Sequence, residues 1–261
     1  MCFVAVALGF HSEFPLIVAA NRDEYFTRPT ELLKRWRGSP TIAAGRDLTA
    51  GGTWLGLSEE GRFAALTNCR AGTVSSAPGA VSRGAIVRDF LLGNKAVVAA
   101  VMSGDLAHQS GYGGFNLIAG TPSKIFILSS ATQTWSEESS GVFVLSNCPP
   151  QIQWPKTRVG QARFTETISS DDGIEDLKEN LFALLSDAQP LEAVSVANQG
   201  DDPLQLIQSL IFVKGAEYGT RASSVIVIDH KGCASFFERT FDRGGSRASE
   251  NFVHLNLKTG A

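Results

Sequence analysis

Two apolar runs near the start of the chain, residues 3–9 and 15–20, leave little freedom in how it folds. Only Phe10, His11, Ser12, Glu13 and Phe14 separate them. Runs of this length suit strands rather than helices, and so short a break predicts a hairpin of two largely buried strands. The pattern returns at Thr53–Leu57 and Arg62–Thr67, joined by Ser58-Glu59-Glu60-Gly61, where Gly61 supplies the positive φ that such turns often need.

Helical spacing takes over near Ser82, a candidate N-cap, with Ile86, Val87, Phe90 and Leu91 on one stripe. A second helical tract covers residues 95–102. Strands are expected again at 115–119, 124–129 and 141–146, and helices at 156–168 and 174–185. A last hairpin joins 223–228 to 233–237 through Asp229-His230-Lys231-Gly232. Hairpin-joined strands separated by paired helices predict an α+β fold, a mainly antiparallel sheet system covered by helices. Residues 171–173 and 198–202 read as polar loops. With no internal repeat, low-complexity tract or linker, residues 1–261 read as a single domain.

A net charge of −3 gives no electrostatic reason to expect nucleic acid or an anionic membrane as partner. Cys2, Cys69, Cys148 and Cys233 are far apart with no Cys-x-x-Cys pair, which argues against a zinc knuckle and a disulfide scaffold. The first apolar run lacks a basic leader and is interrupted by Gly9, His11, Ser12 and Glu13, unlike a secretory signal. No stretch reaches the roughly 20 apolar residues of a membrane span. Reduced thiols and the lack of a signal together predict a cytoplasmic protein.

Cys2 raises a chemical possibility. Removal of Met1, favoured by a small second residue, would leave a thiol and a free α-amine on one residue. Their ordinary pKa values of about 8.5 and 7.7–8.0 lie near working pH, so one residue would hold a nucleophile and its base. The alternative is a buried cysteine at a strand start. Asn21-Arg22-Asp23-Glu24 follows the second strand, whose far end lies near Cys2 in a hairpin; there a carboxylate could hold the amine and an arginine favour the thiolate. A solvated, salt-bridged turn is the competing reading. Leu66-Thr67-Asn68-Cys69 and Leu145-Ser146-Asn147-Cys148 end two further strands. Their asparagines suit turns, or they supply uncharged oxyanion donors to one reaction centre. Alternation then turns Cys69 and Cys148 toward the core. Gly51-Gly52-Thr53-Trp54-Leu55-Gly56 lacks the lysine of a phosphate loop and reads as a tight approach into a strand, with Trp54 packed or lining a cleft. His11, His108, His230 and His254 are not at metal-ligand spacing, so no metal site is expected.

Asn21-Arg22-Asp23-Glu24, Gly45-Arg46-Asp47, Gly51–Gly56 and Tyr218-Gly219-Thr220-Arg221 together resemble the NRDE family, which includes the Transport and Golgi organization protein 2 proteins. A more distant resemblance links Met1-Cys2, Ala20–Asp23, Leu66-Thr67-Asn68 and Leu145–Pro149 before Trp154 to the cysteine N-terminal-nucleophile hydrolases. These are the choloylglycine hydrolases, penicillin V acylases and acid ceramidase relatives. That resemblance implies an αββα sandwich of two stacked antiparallel sheets. It implies Cys2 as nucleophile, Asp23 as the residue positioning its amine, Asn68 as oxyanion donor and Asn147 as a substrate-contacting or structural amide. Asn21, Arg22, Trp54 and Arg221 are the further candidate substrate-binding residues. The hydrolases' arginine, three residues before the aspartate, falls on Ala20, and Arg221 is the candidate substitute. The implied reaction is cleavage of a small amide or thioester without a cofactor. The NRDE resemblance implies an alternative, a non-enzymatic carrier of haem or of acyl-CoA or lipid, with haem held by Cys2 or a histidine as axial ligand or largely through apolar contacts.

Overall fold

The computed structural model describes residues 2–69, 81–109, 111–170, 173–191 and 207–258. The expected loop at 198–202 and residues 171–172 lie outside these. The strands are β1 (Phe3–Leu8), β2 (Leu16–Tyr25), β3 (Thr30–Trp36), β4 (Ile42–Asp47), β5 (Leu55–Ser58), β6 (Phe63–Asn68), β7 (Phe115–Thr121), β8 (Lys124–Ser129), β9 (Thr134–Glu138), β10 (Gly141–Leu145), β11 (Tyr218–Ile228), β12 (Cys233–Phe241) and β13 (Arg247–Asn256). The helices are α1 (Arg83–Leu91), α2 (Lys95–Ser103), α3 (Pro155–Thr167) and α4 (Ile174–Leu185). A six-stranded sheet has the order β10-β1-β2-β11-β12-β13, and a seven-stranded sheet runs β3 to β9 in sequence. Their strand pairings are antiparallel.

The layering follows from side-chain alternation. Along β1, Val4, Val6 and Leu8 face the other sheet, where Leu55, Leu57, Phe63 and Ile118 meet them. Phe3, Ala5 and Ala7 face the opposite way, onto Phe164 of α3 and Leu181 and Phe182 of α4. The second sheet does the same, with Ala64, Leu66 and Leu117 under Ile86, Val87 and Leu91 of α1. Strands apolar on both faces belong in sheets covered on both sides. The result is an αββα sandwich, the layering that the hydrolase resemblance implies.

The described strands outnumber the expected ones. β3, β4, β9 and β13 go unannounced: β3, β9 and β13 each lie at a sheet edge and carry charged or polar residues that face water, and β4, inside its sheet, has only Ile42, Ala43 and Ala44 as an apolar run before Gly45-Arg46-Asp47. The second strand does not end at Ala20. β2 runs on through Tyr25 because β1 pairs with it as far as Asn21 and β11 as far as Tyr25, satisfying its backbone. Asn21, Arg22 and Asp23 are therefore buried strand residues, not a solvated turn.

Where the apolar inter-sheet layer ends, Glu238 of β12 is buried, and its Oε1 accepts the Leu33 backbone N–H at 2.7 Å. Burial raises its pKa to about 7, against the hydrogen bond from Leu33 and the charge of Arg22. The folded state therefore binds this proton more tightly than the unfolded chain, and stability falls as pH climbs from about 4.5 through 7. Glu238→Gln keeps an acceptor for Leu33. It is expected to flatten that decline and to unfold later than wild type at pH 8 by about 2–3 kcal/mol, read from urea titrations at pH 5 and 8.

Candidate active site

A cavity of about 430 Å³ opens at one end of the sandwich, where strand ends from both sheets meet the N-terminus of α1. Cys2, Arg22, Asp23, Trp54 and Asn68 all line it. Cys2 and Asn68, far apart in sequence, thus share one space, because β1 and β2 lie side by side and β6 ends against them from the other sheet.

The NRDE segment is fixed by alternation. Phe3 pairs with Asn21, which places the Arg22 side chain on the inter-sheet face and Asn21 on the helical face. Asn21 is accordingly no cavity residue. Its Nδ2 donates to the carbonyls of Leu185 (2.8 Å) and Ile211 (2.9 Å), and its Oδ1 accepts from Ser223 Oγ at 2.6 Å. It fastens the helical layer to the sheet. Asp23 is 5 % exposed, and the hydroxyl of Thr220 donates to its Oδ1 at 2.7 Å. Tyr218 Oη donates to the Asp23 carbonyl at 3.1 Å. The Tyr218-Gly219-Thr220-Arg221 motif is thus the mount for Asp23, aided by a β-bulge between Thr220 and Ala222.

Arg221 lies outside the cavity lining. Its guanidinium donates to the carbonyls of Arg28 and Tyr25 and stacks over Phe26. Asn147 is likewise not a lining residue; its Nδ2 donates to the Asn68 carbonyl at 2.6 Å. The neighbouring Ser146 Oγ donates to the Cys2 carbonyl at 2.7 Å, and Thr67 Oγ1 donates to the Ser146 carbonyl at 2.5 Å. Asn116 Nδ2 secures the same segment through the carbonyls of Ser146 (2.9 Å) and Cys148 (2.7 Å). The Leu145–Cys148 segment therefore ties Cys2 in one sheet to Asn68 in the other. Cys69 and Cys148 are buried, as alternation predicts.

At the rim, Arg28 Nε donates to Asp47 Oδ2 at 2.7 Å, while Arg22 lies 3.8 Å from Glu24 and 3.9 Å from Asp47. Asp47 also accepts the backbone N–H groups of Thr49 and Ala50. Although burial works against it, the Arg28 hydrogen bond holds the Asp47 carboxyl below its ordinary value. This network joins the NRDE strand of one sheet to Gly45-Arg46-Asp47 of the other. Gly51–Gly56 adds the third side. A Cβ on Gly52 would fall 2.4 Å from the Gly84 carbonyl carbon, so only glycine lets this loop cross the start of α1.

The Cys2 thiol is half-buried. Burial pushes its pKa up and the Asp23 carboxylate adds to the rise, while the chain's terminal amine, a hydrogen bond from the Asp23 backbone and the charge of Arg22 act in the opposite sense. Ala20, in the place of the hydrolases' arginine, is 0 % exposed within the inter-sheet core, where no cation has room. Besides Arg28 at the rim, two cations at helix starts were not among the candidates. Arg83 opens α1, lines the cavity and donates to the Gly114 carbonyl at 3.0 Å. Lys156, in the first turn of α3, is 0 % exposed. A signal existed for both: a cation in the first turn of a helix opposes the macrodipole and asks for another reason to be there.

Fold and cavity together define an αββα sandwich with a cysteine beside its N-terminal strand in the lining of a polar cleft. The family model for Transport and Golgi organisation 2 matches residues 1–243. The Transport and Golgi organization 2 homolog of Mus musculus is 29% identical over 262 residues, covering 94% of each chain. The Transport and Golgi organization protein 2 homolog of Bos taurus is 31% identical over 242 residues, covering 87% of each. The chain belongs to the Transport and Golgi organisation 2 family. Among solved structures, a mutant of the conjugated bile acid hydrolase from Clostridium perfringens aligns with a TM-score of 0.48 and 11% identity, over 97% of this chain and 92% of that one. The Caenorhabditis elegans N-acylethanolamine-hydrolyzing acid amidase ortholog aligns at 0.41 with 13% identity, over 87% and 92%. No helix among the described residues is long and apolar enough to cross a membrane.

Proposed function

We propose that this protein is a cysteine N-terminal-nucleophile hydrolase acting on a small amide or thioester. The observation that supports this reading is that Cys2, Asp23 and Asn68 line one cavity. With Met1 removed, the α-amine of Cys2 takes the thiol proton, and the sulfur forms a bond to the substrate carbonyl carbon. The carbonyl π electrons move onto oxygen, where the Asn68 amide donates to the oxyanion. Collapse breaks the C–N or C–S bond, and the α-amine hands its proton to the leaving group. Water then adds to the acyl-thioester, giving up a proton to the amine, and the carboxylic acid leaves as the Cys2 thiol re-forms. Asp23, anchored by Thr220, keeps the amine oriented.

Asn68→Ala is expected to lower kcat by 10²- to 10³-fold while leaving Cys2 alkylation unchanged. Acyl-amide and acyl-thioester panels with intact-mass detection of acylated Cys2 test both halves of this expectation. Equal kcat in variant and wild type would remove Asn68 from the chemistry.

Haem, the carrier alternative, is not favoured by the same cavity. Its lining includes six charged side chains, those of Arg22, Asp23, Glu24, Arg28, Asp47 and Arg83, and no histidine among the described residues. A porphyrin needs extended apolar walls against both faces, and these residues do not fit it.

A further inference from the structure

A fully buried lysine is costly unless something answers its charge. Lys156 is one of the largest fully buried side chains of this protein and follows Trp154, the N-cap of α3, and Pro155 at N1. The course of α3 fixes where Lys156 points. Gln161 Nε2 donates to the Val142 carbonyl at 3.0 Å, beside the Ala7 end of β1. One residue back, a Cβ on Gly160 would fall 2.6 Å from Phe3 Cε2, so the helix lies directly on the first residue of β1. Lys156 is one turn earlier on that face, and the helix advances about 6 Å over those four residues, beyond Phe3 toward Cys2 and the end of β2. Its ammonium also lies 5.8 Å from the Trp154 ring centroid.

We infer that Lys156 is a positioning residue of this site, a buried ammonium that answers the charges of Asp23 and of the Cys2 thiolate from the helical layer. The inference rests on the reading of Cys2 as nucleophile. It accounts for the alanine at position 20: the cation is supplied not by β2 but by α3, from the other face of the sheet. Lys156 gives up no proton. It offsets the negative charge left on sulfur when the thiol proton passes to the α-amine. Burial lowers its own pKa, and the charges of Asp23, Cys2 and Cys148 draw it back up. The charged groups on the strand side that act on Cys2 are the chain's terminal amine and Arg22, which favour the thiolate, and Asp23, which opposes it.

The test is the pH dependence of Cys2 alkylation by iodoacetamide, followed by peptide mass in a Cys233→Ser background that removes the exposed thiol. Lys156→Met and Lys156→Gln are expected to raise the alkylation midpoint by one pH unit or more, a tenfold slower reaction at pH 7. Unchanged midpoints in folded variants overturn the inference. Should the single variants unfold, Asp23→Asn with Lys156→Met leaves neither charge unanswered, and its midpoint must exceed that of Asp23→Asn alone. A shift in a protein that turns over no acyl-amide or acyl-thioester would uphold Lys156 and remove the hydrolase reading. Turnover without a shift would do the reverse.

Discussion

Inserting a lysine between Met1 and Cys2, which blocks removal of the methionine, is expected to lower turnover at least a hundredfold and leave the fold and the Cys2 thiol in place. The nucleophile survives in that variant, but its amine becomes a peptide nitrogen that can neither take nor give a proton at neutral pH. General acid–base help of this kind contributes about 10²- to 10⁴-fold, and loss of the nucleophile itself in Cys2→Ala removes the covalent route altogether. The expected order of kcat is therefore wild type, then the inserted variant at least a hundredfold lower, then Cys2→Ala at background. Intact mass should show wild type without Met1, and trapped acyl adducts should map to Cys2 only. A wild-type chain that keeps its methionine and still hydrolyses would defeat the mechanism.

Gly52→Ala is the second large effect, and it concerns the walls of the cavity. The added methyl would meet the carbonyl carbon of Gly84 at 2.4 Å, its oxygen at 2.5 Å and Ala85 N at 2.8 Å. All three are backbone atoms of the first turn of α1, so no side chain can swing aside. The loop is held from both directions, with Asp47 N–H donating to the Gly52 carbonyl at 2.9 Å and Thr53 N–H to the Gly84 carbonyl at 3.2 Å. Relief means lifting α1, which carries Ser82, Arg83 and Gly84 of the cavity wall. A cost of about 3 kcal/mol or more is expected in urea unfolding, with turnover lost even in the folded fraction. Gly51→Ala is the control. Gly51 has φ +72 with nothing within 4 Å of a Cβ, so it loses only the left-handed preference, about 1 kcal/mol. Equal losses for the two variants would show that steric approach is not the reason for Gly52.

Much of the architecture was legible in the residues. The hairpin of β1 and β2, the turn at Gly61 and the stripe Ile86, Val87, Phe90, Leu91 are local patterns, and each appears where the spacing predicts it. Cys2, Asp23 and Asn68 were legible as site candidates because strand-end positions in a hairpin and motif spacing say which groups come close. Asn21 and Asn147 were not separable from them by type. Both are buried amides, and only their partners tell that one braces α4 and the other braces Asn68. Arg221 carried the right charge in the wrong place, turned toward the Arg28 carbonyl.

By itself, the sequence determined the helices, the strands of the apolar hairpins and the alternation of side chains along them, since these depend on the period of two or 3.6 residues within a few positions. The stacking of the two sheets and the course of α3 decided the rest. They brought Asp47 to Arg22, Asn147 to Asn68 and Ser146 to Cys2. Such meetings join residues tens to more than a hundred positions apart. They depend on how whole layers pack, which no local period encodes.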